Sequence, residues 1–271
     1  MDINPEKVAT DFLELASEQR LSILQNLAVK NLNISKLAKL LEATSPEVHR
    51  NIGRLVKNGL IMKNPDANYE LTTYGKVVLA QIPSISFLSD NMEFFNAHTL
   101  SGIKPKFIQR IGSLESKKRI KGFVKVLEKW QKIQENAGEY IYNILSEVPY
   151  SREVIEVVLK KLEDGITIKT IFSQNTVIPE NRKKMFEEMG FQKYVTDGVL
   201  ERKISDNVFL GVLITEKEAA VFFQKKDGEL DLSEMFVSSE KDFGDWCRDY
   251  FEEQWKDATS FQESKLKKDS S

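Results

Sequence analysis

Apolar side chains recur every three or four positions along the start of this 271-residue chain, a spacing that predicts amphipathic helices. Four such helices are predicted at residues 7–16, 17–29, 33–41 and 45–57. Two short alternating runs, LIMK and YELT, then flank the turn-rich residues 64–68, which predicts a hairpin. Helices followed by a hairpin in this order make a winged helix. We expect TTYGKVVLAQI to form one more helix, which Pro83 ends.

Single residues predict where the fourth helix begins and which face of the first helix is apolar. Ser45 carries a hydroxyl that can cap a helix, and Pro46 suits the first helical position, so the fourth helix is expected to begin there. In the first helix, Val8, Phe12 and Leu15 share one face. We expect this helix to be one of two seams of a dimer, the other being the helical region over residues 87–140.

The pattern changes after this module. Residues 87–148 are predicted to be mostly helical, with a loop at SGIKP and one long helix over residues 116–137. After residue 149, amphipathic helices alternate with β-rich runs such as ITIKTIF and FLGVLIT, which predicts an α/β domain. The fold class is therefore α+β, with an N-terminal winged helix-turn-helix, a helical connector and a C-terminal α/β domain.

These changes of pattern divide the chain into four parts. The parts are a winged helix-turn-helix domain at 7–83, a helical connector or dimerisation region at 84–137, an α/β domain at 138–260 and a tail at 261–271. The tail is predicted to be disordered, because it is polar, charged and terminal.

Charge is spread unevenly along the chain, whose formal net charge is only −2. Residues 30–63 carry seven basic and two acidic side chains, a balance of +5. Residues 227–258 carry three basic and eleven acidic side chains, a balance of −8. The first stretch therefore attracts anionic partners and the second repels them.

The predicted fourth helix has a basic, amide-bearing outer side. A helix in the DNA major groove needs one apolar face on the core and an outer face of arginine, lysine or amide side chains. The residues predicted to contact DNA are Lys36, Ser45, Glu47, His49, Arg50, Asn51, Arg54, Lys57, Lys63 and Asn64. The alternatives are an ordinary solvated face and a docking face for an acidic protein.

Few residues suited to catalysis or metal binding are present. Cys247 is the one cysteine and His49 and His98 are the two histidines, which excludes a zinc site built on several cysteines. The sequence has no glycine-rich phosphate loop and no GxSxG motif. We expect Cys247 to be a packed small hydrophobe and His98 a hydrogen-bonded structural residue. No catalytic residue, metal or cofactor is predicted.

Two parts of the chain resemble known families. Residues 17–80, with NISKLAKLLEATSPEVHRNIGRLVKNGLI and YELTTYGK, resemble the ArsR-type winged helix of microbial transcription regulators. The stretches FFNAHTLSGIKPKFIQRIGSL and LITEKEAAVFFQKKDGELDLSEMFVSSEKDFGDWCRDYFEEQW resemble archaeal regulators with a methanogenesis-regulator middle domain. The C-terminal part also resembles the phospholipase-D-like sensor domain of TrmB-type sugar regulators.

The resemblance to the phospholipase-D-like domain raises the question of whether the C-terminal part is catalytic. Phospholipase-D-type enzymes use a nucleophilic histidine with a lysine two residues on and an aspartate further along. No histidine follows His98 in this chain. The resemblance therefore implies a sensor domain without catalysis, and the enzyme hypothesis is disfavoured.

The basic helix and the resemblances together predict a cytoplasmic, archaeal transcription regulator that binds double-stranded DNA. A homodimer is expected, because one winged helix makes few base contacts and useful affinity normally needs two half-sites. The C-terminal domain is expected either to sense an unidentified signal, with a small-molecule effector as one candidate, or to mediate assembly. No apolar run reaches the roughly 20 residues that span a bilayer, so no membrane partner is predicted. The competing hypothesis is an adaptor whose winged helix docks an acidic protein.

Overall fold

The chain folds into two compact units, Met1–Pro83 and Ser84–Ser271. A computed structural model describes residues 4–115, 117–146, 152–178, 182–262, 264 and 266–268. Every structural statement below concerns those residues. The fold mixes helix and sheet, as the sequence predicts, with a mainly helical first unit and a sheet-based second unit.

The first unit holds helices and one hairpin, in the predicted order. Its elements are α1 (Pro5–Leu15), α2 (Glu18–Val29), α3 (Ile34–Leu40), α4 (Ser45–Lys57), β1 (Ile61–Lys63), β2 (Tyr69–Leu71) and α5 (Thr73–Leu79). The antiparallel pair β1–β2 is extended by an isolated bridge between Leu32 and Tyr69. This order of helices and hairpin is that of a winged helix.

The core of this unit lies between α2, α3, α4 and the hairpin. Leu24, Leu37, Val48 and Leu55 are fully buried there. Val48 and Leu55 lie seven positions apart on α4 and so share one face, which is the apolar periodicity that packs this helix on the others. The outer side of α4 is left facing solvent.

The start of α4 differs from the prediction by one residue. Thr44, not Ser45, is the N-cap, and its hydroxyl accepts a hydrogen bond from the backbone N–H of Glu47. The Glu47 carboxylate accepts in return from the Thr44 backbone N–H at 2.9 Å. This reciprocal capping box satisfies two N–H groups and places Ser45 and Pro46 inside the first turn.

The first helix does not bury the face that its apolar pattern indicates. Val8 and Phe12 are 37% and 53% exposed, Leu15 is half-buried, and the buried residue of α1 is Glu14. The physical reason is an ion pair, described below, that turns Glu14 rather than Phe12 toward the rest of the unit.

The helix after the hairpin is shorter than predicted. Thr72 caps α5, which ends at Leu79. Pro83 does not end it, because Pro83 is the second residue of the next helix. Proline is tolerated in the first turn of a helix, where its missing N–H has no partner to lose.

The second unit contains most of the strands. Its elements, beginning with the helix that starts at the end of the first unit, are α6 (Ile82–Asp90), α7 (Met92–Ala97), β3 (His98–Thr99), α8 (Pro105–Gln109), a 3-10 turn (Ile111–Leu114), β4 (Lys118–Lys121), α9 (Phe123–Glu135), β5 (Tyr140–Leu145), α10 (Arg152–Glu163), β6 (Thr167–Ser173), β7 (Val177–Ile178), α11 (Arg182–Glu188), α12 (Gln192–Thr196), β8 (Leu200–Ser205), β9 (Leu210–Ile214), β10 (Ala219–Lys225), β11 (Glu234–Ser238), α13 (Lys241–Asp257), β12 (Thr259–Ser260) and β13 (Lys267–Lys268).

One large sheet of described strands organises this unit. The strand order is β12-β8-β6-β5-β9-β10-β11-β4, and β3 pairs with β10. β8, β6 and β5 run parallel, whereas β5, β9, β10, β11 and β4 form an antiparallel succession. Helices lie in the connections between the parallel strands. Among the antiparallel pairs, short connections join β9 to β10 and β10 to β11, whereas β5–β9 and β11–β4 pair strands that are far apart in sequence.

Helices cover both faces of this sheet. Tyr142 on β5 stacks on Phe251 of α13, with ring centroids 5.0 Å apart. The next residue, Asn143, points to the opposite face, since side chains alternate along a strand. That opposite face is covered by α9 and α10.

The packing on α13 confirms that Cys247 is a small buried apolar residue, and burial raises the pKa of its thiol.

The segment over residues 84–137 is not a separate helical connector. Phe87, Phe94 and Phe107 lie in one continuous core with the sheet strands. The predicted helix over residues 116–137 is instead β4 followed by α9, and residue 116 lies outside the described part. Gly122 separates the two with a φ of 101°, a left-handed conformation that favours glycine.

Residues 140–145 lie within the predicted helical region but form β5, a strand at the centre of the sheet. Their alternating aromatic and β-branched side chains fit a strand, and burial between two helical layers favours the strand over a helix.

The tail also differs from its prediction, which was disorder. Leu266 is buried against Phe172, Ile178 and Ile204, and β13 pairs with β7.

Two glycines of the first unit give opposite expectations for the same substitution. A β-carbon on Gly75 would lie 1.9 Å from the Leu60 carbonyl oxygen, whereas one on Gly53 of α4 would meet open space. We expect Gly75→Ala to lower the free energy of unfolding of the winged helix by about 3 kcal/mol through steric strain. Gly53→Ala is expected to raise it by about 0.5–1 kcal/mol. Urea denaturation of both variants checks the pair, and equal effects would contradict this packing.

Candidate nucleic-acid interface

The two sides of α4 carry opposite chemistry. Val48, Ile52 and Leu55 are buried, with exposed fractions of 2% or less. His49 and Arg50 lie on the exposed side. The helix is therefore held by its apolar face and presents a cationic face outward, which is the arrangement that a helix in a DNA groove requires.

Cationic side chains on neighbouring elements extend this face. Lys36 and Lys39 on α3, Lys57 at the end of α4 and Lys63 on β1 are all exposed. Among the residues that the structure describes, no carboxylate pairs with any of these four lysines or with Arg50. Their charge is therefore available to an anionic partner rather than neutralised internally.

Two of the predicted contact residues serve the fold instead. Asn51 is only 7% exposed, and its amide donates a hydrogen bond to the Gln19 side chain on α2. Asn64 organises the hairpin turn, since its Oδ1 accepts from the backbone N–H groups of Asp66 and Asn68. The prediction that Asn51 faces outward is wrong, because its position on α4 falls beside Val48 and Ile52 on the packed side.

The Glu47 carboxylate is committed to the start of α4. Hydrogen bonds from the backbone and the hydroxyl of Thr44 lower the pKa of this carboxyl, with a small further effect of the Arg50 charge. The side chain is exposed but already occupied as an acceptor. Glu47 therefore caps the helix, and its negative charge stabilises the N-terminus.

A buried carboxylate joins α4 to the first two helices. Glu14 is 5% exposed and accepts two hydrogen bonds from Arg54, Nε to Oε2 at 2.9 Å and Nη2 to Oε1 at 2.6 Å. Arg20 on α2 donates to the backbone carbonyl oxygens of Glu14 and Leu13 at 2.6 and 2.8 Å. Its Nε lies 3.6 Å from the Glu14 carboxylate. We call Glu14, Arg20 and Arg54 the ionic triad.

The ionic triad changes the expectation for Arg54. Its side chain is 46% exposed, so one edge of the guanidinium faces solvent while the other is held by Glu14. Arg54→Ala would leave a buried carboxylate without its main partner, so Arg54 stabilises the fold as well as facing outward. Arg50, one turn earlier, is exposed.

Sequence reasoning missed Glu14 and Gln19. Glu14 and Arg54 are 40 positions apart, and nothing local marks them as partners. One signal was present in the first helix. Its apolar residues include Leu13 as well as Phe12, so they do not form a single clean stripe, and an acidic residue lies between Leu13 and Leu15.

His98 and Asp231 form a buried pair in the second unit. Nδ1 of His98 lies 2.7 Å from the Phe94 carbonyl oxygen, and its Nε2 lies 3.0 Å from the Asp231 carboxylate. Burial alone would raise the pKa of Asp231, but hydrogen bonds from Ser233 and His98 hold it below its usual value. This confirms the interpretation of His98 as a hydrogen-bonded structural residue.

No group of three or more histidine, cysteine, aspartate or glutamate side chains is arranged to hold a metal ion in the part of the chain that the structure covers. Within the same residues, none of the helices combines the length and apolar character that crossing a bilayer requires.

A family model matches the N-terminal part of the chain. Residues 9–89 match the model described as the HVO_A0261 N-terminal domain. The matched range contains the winged helix and nearly all of α6. No curated protein matches the chain. The ArsR-type resemblance is not the family that this model names, and it stays a prediction.

Several solved structures are similar at low identity. TrmBL2, described as an archaeal chromatin protein with a novel mode of DNA binding, is 13% identical, with 88% of this chain and 92% of that chain covered and a TM-score of 0.42. Nuc from Salmonella typhimurium, a phospholipase D family member, is 10% identical over 54% of this chain and 98% of that chain, with a TM-score of 0.37. NucT from Helicobacter pylori is 11% identical over 51% and 92%, also with a TM-score of 0.37. Similarities of this size say nothing about what this chain does.

The ionic triad gives a pH-dependent prediction. Hydrogen bonds from Arg54 hold the pKa of Glu14 below its ordinary 4.5, against the opposing effect of burial, and the Arg20 charge adds to the lowering. A lowered carboxyl pKa stabilises the fold above the ordinary pKa, and this contribution is lost as the pH falls through the folded-state value. We expect Glu14→Gln to lower the free energy of unfolding by about 2 kcal/mol at neutral pH.

Chemical denaturation of wild type and Glu14→Gln from neutral to acidic pH measures this effect. The difference between them should shrink as the pH falls below 4.5. Glu6→Gln, an exposed position in the first turn of the same helix, is the matched control and should change little. A difference between wild type and Glu14→Gln that stays constant with pH would contradict the ionic triad.

Proposed function

We propose that this protein is a transcription regulator that binds specific double-stranded DNA through α4. The observation that carries the proposal is the unpaired cationic face of α4 and its neighbours on a winged-helix frame. A winged helix places this helix in the major groove, where arginine side chains can donate two hydrogen bonds to guanine.

The exposed residues divide into two roles on this proposal. Ser45, His49 and Arg50 lie in the first two turns of α4, where a recognition helix usually meets base edges. Lys36, Lys39, Lys57 and Lys63 are suited to phosphates, which position the protein without reading sequence. Arg54 remains half-exposed beside Glu14, where its free edge can reach a phosphate.

The finer parts of the proposal concern assembly and control. We propose a homodimer, because two half-sites multiply the few contacts of one recognition helix. The exposed apolar side chains of α1, namely Val8, Phe12 and Leu13, are suited to a seam between copies, since such patches usually mark interfaces. On this proposal the second unit senses a ligand without catalysis, and the protein acts in the cytoplasm of an archaeal cell.

Fluorescence anisotropy with the full chain tests the proposal. The probes are a duplex from upstream of the protein's own gene and a scrambled duplex of equal composition, each over a series of salt concentrations. We expect tight binding to the first, weak binding to the second, and a steep loss of affinity with salt because bound lysines and arginines release counterions.

Two variants separate base reading from phosphate binding. Arg50→Ala is expected to weaken binding to the preferred duplex about 10- to 100-fold and to reduce the difference between the two duplexes. Lys57→Ala should weaken binding to both alike and lower the salt slope by about one. Lys76→Ala, on α5 and outside the cationic face, is the control and should bind as wild type does.

Equal and weak binding to both duplexes would overturn the proposal. That result would favour the adaptor hypothesis, in which the same cationic face docks an acidic protein. Wild-type affinity and preference in Arg50→Ala would instead show that α4 does not read bases through this residue.

A further inference from the structure

The second unit contains a cavity of about 150 Å³ between α9 and the sheet. Its walls include Val126 and Trp130 from α9, Leu145 from β5 and Phe222 from β10. Nearly all of the lining is apolar. The cavity is partly open to solvent, beside the exposed side chain of Phe123.

A second, smaller cavity of about 80 Å³ lies next to the first. The two share Trp130 and Leu145 as walls. The smaller one also has polar walls, since Asn143, Thr170 and Gln134 line it. Arg202 also lies in the wall of the smaller cavity. We call these two neighbouring cavities together the α9 chamber.

The backbone keeps the larger cavity open. Gly211 lies in its wall, and a β-carbon there would come within 3.2 Å of the Leu230 side chain and 3.3 Å of Phe222. A larger residue at Gly211 would therefore press its neighbours into the space. The absence of a side chain at this position preserves the cavity within an otherwise closely packed sheet.

Asn143 supplies a specific polar group at the other end. Its side chain is buried, at 4% exposed, and its Oδ1 has no hydrogen-bond partner among the described residues. A buried acceptor without a partner is costly, and most such groups in folded proteins are satisfied. Asn143 and Leu145 are two residues apart on β5, so they face the same side of the sheet.

We infer that the α9 chamber binds a small apolar molecule, about the size of one substituted benzene ring, that carries a single hydrogen-bond donor. An apolar cavity of about 150 Å³ stays dry and accepts a molecule of benzene size. A hydroxyl or N–H group on such a ring satisfies Asn143. A sugar does not fit this description, because its hydroxyls on every side would be left unsatisfied against apolar walls.

This inference deepens the proposed function, since it names the class of effector that the second unit senses, and its regulatory meaning rests on that proposal. Binding to the chamber itself does not depend on DNA. A measurement without DNA therefore tests the chamber even where the DNA-binding proposal fails.

Isothermal titration of the full chain with 4-ethylphenol and with ethylbenzene tests the inference. Both fit the larger cavity, and only the phenol carries a donor. We expect both to bind and the phenol to bind about tenfold more tightly, the effect of one hydrogen bond to a buried acceptor. Absence of binding by either compound would overturn the inference. Equal binding would show that a trapped water already satisfies Asn143 and would remove the donor from the proposal.

Two variants and one control locate the site. Val126→Phe fills the larger cavity and should abolish binding of both compounds. Val124→Phe makes the same change at a position on α9 that is 64% exposed, outside the lining, and should bind as wild type does. Asn143→Leu removes the unpaired acceptor and should keep ethylbenzene binding while losing the preference for the phenol.

The binding inference can still be tested if one of these variants fails to fold. Replacing an unsatisfied buried amide by an apolar group of similar size is usually neutral or stabilising, so Asn143→Leu is expected to fold even if Val126→Phe does not. Unchanged phenol preference in a folded Asn143→Leu, or unchanged binding in a folded Val126→Phe, would contradict the assignment of the chamber.

Discussion

The cationic face of this protein depends on one buried carboxylate. Glu14 lies against Arg54 of α4 and Arg20 of α2, so a single acidic residue on the first helix ties together the two helices that carry the core. A buried charge without partners would be strongly unfavourable, so the buried Glu14 carboxylate requires its arginine partners. The same contact turns α1 so that Phe12 faces solvent. The position of α4 and the exposed apolar side chains of α1 are thus both linked to one local contact.

The two units differ in how their interiors are packed. The winged helix is small, and α4 is fixed by apolar packing together with hydrogen bonds from Thr44 and to Gln19. The second unit has a core large enough to leave space inside it. An apolar cavity lies near the unpaired amide oxygen of Asn143, and the ligand proposed above would bring the hydrogen-bond donor that this buried acceptor lacks.

Periodicity predicts the elements whose partners are close in sequence. The four N-terminal helices and the hairpin follow from apolar spacing and local caps. The ion pair between Glu14 and Arg54 does not, because it joins residues 40 positions apart. The same limit explains β5, whose sequence suits a strand only once neighbours cover both faces. Of the candidate contacts, Arg50 is placed correctly on the outer side by its spacing. The outward position predicted for Asn51 is wrong. Neighbouring positions on a helix can face opposite sides, so Arg50 is exposed while Asn51 is buried.

Selection from a random-sequence duplex pool by the full chain, followed by sequencing of the bound fraction, tests the central claim most directly. Because the pool samples all short sites, no target sequence has to be chosen for the experiment. A regulator that reads DNA through paired copies of α4 should enrich one motif with two half-sites about one helical turn apart. A bound fraction with the same base composition as the starting pool would contradict the claim that α4 reads DNA sequence.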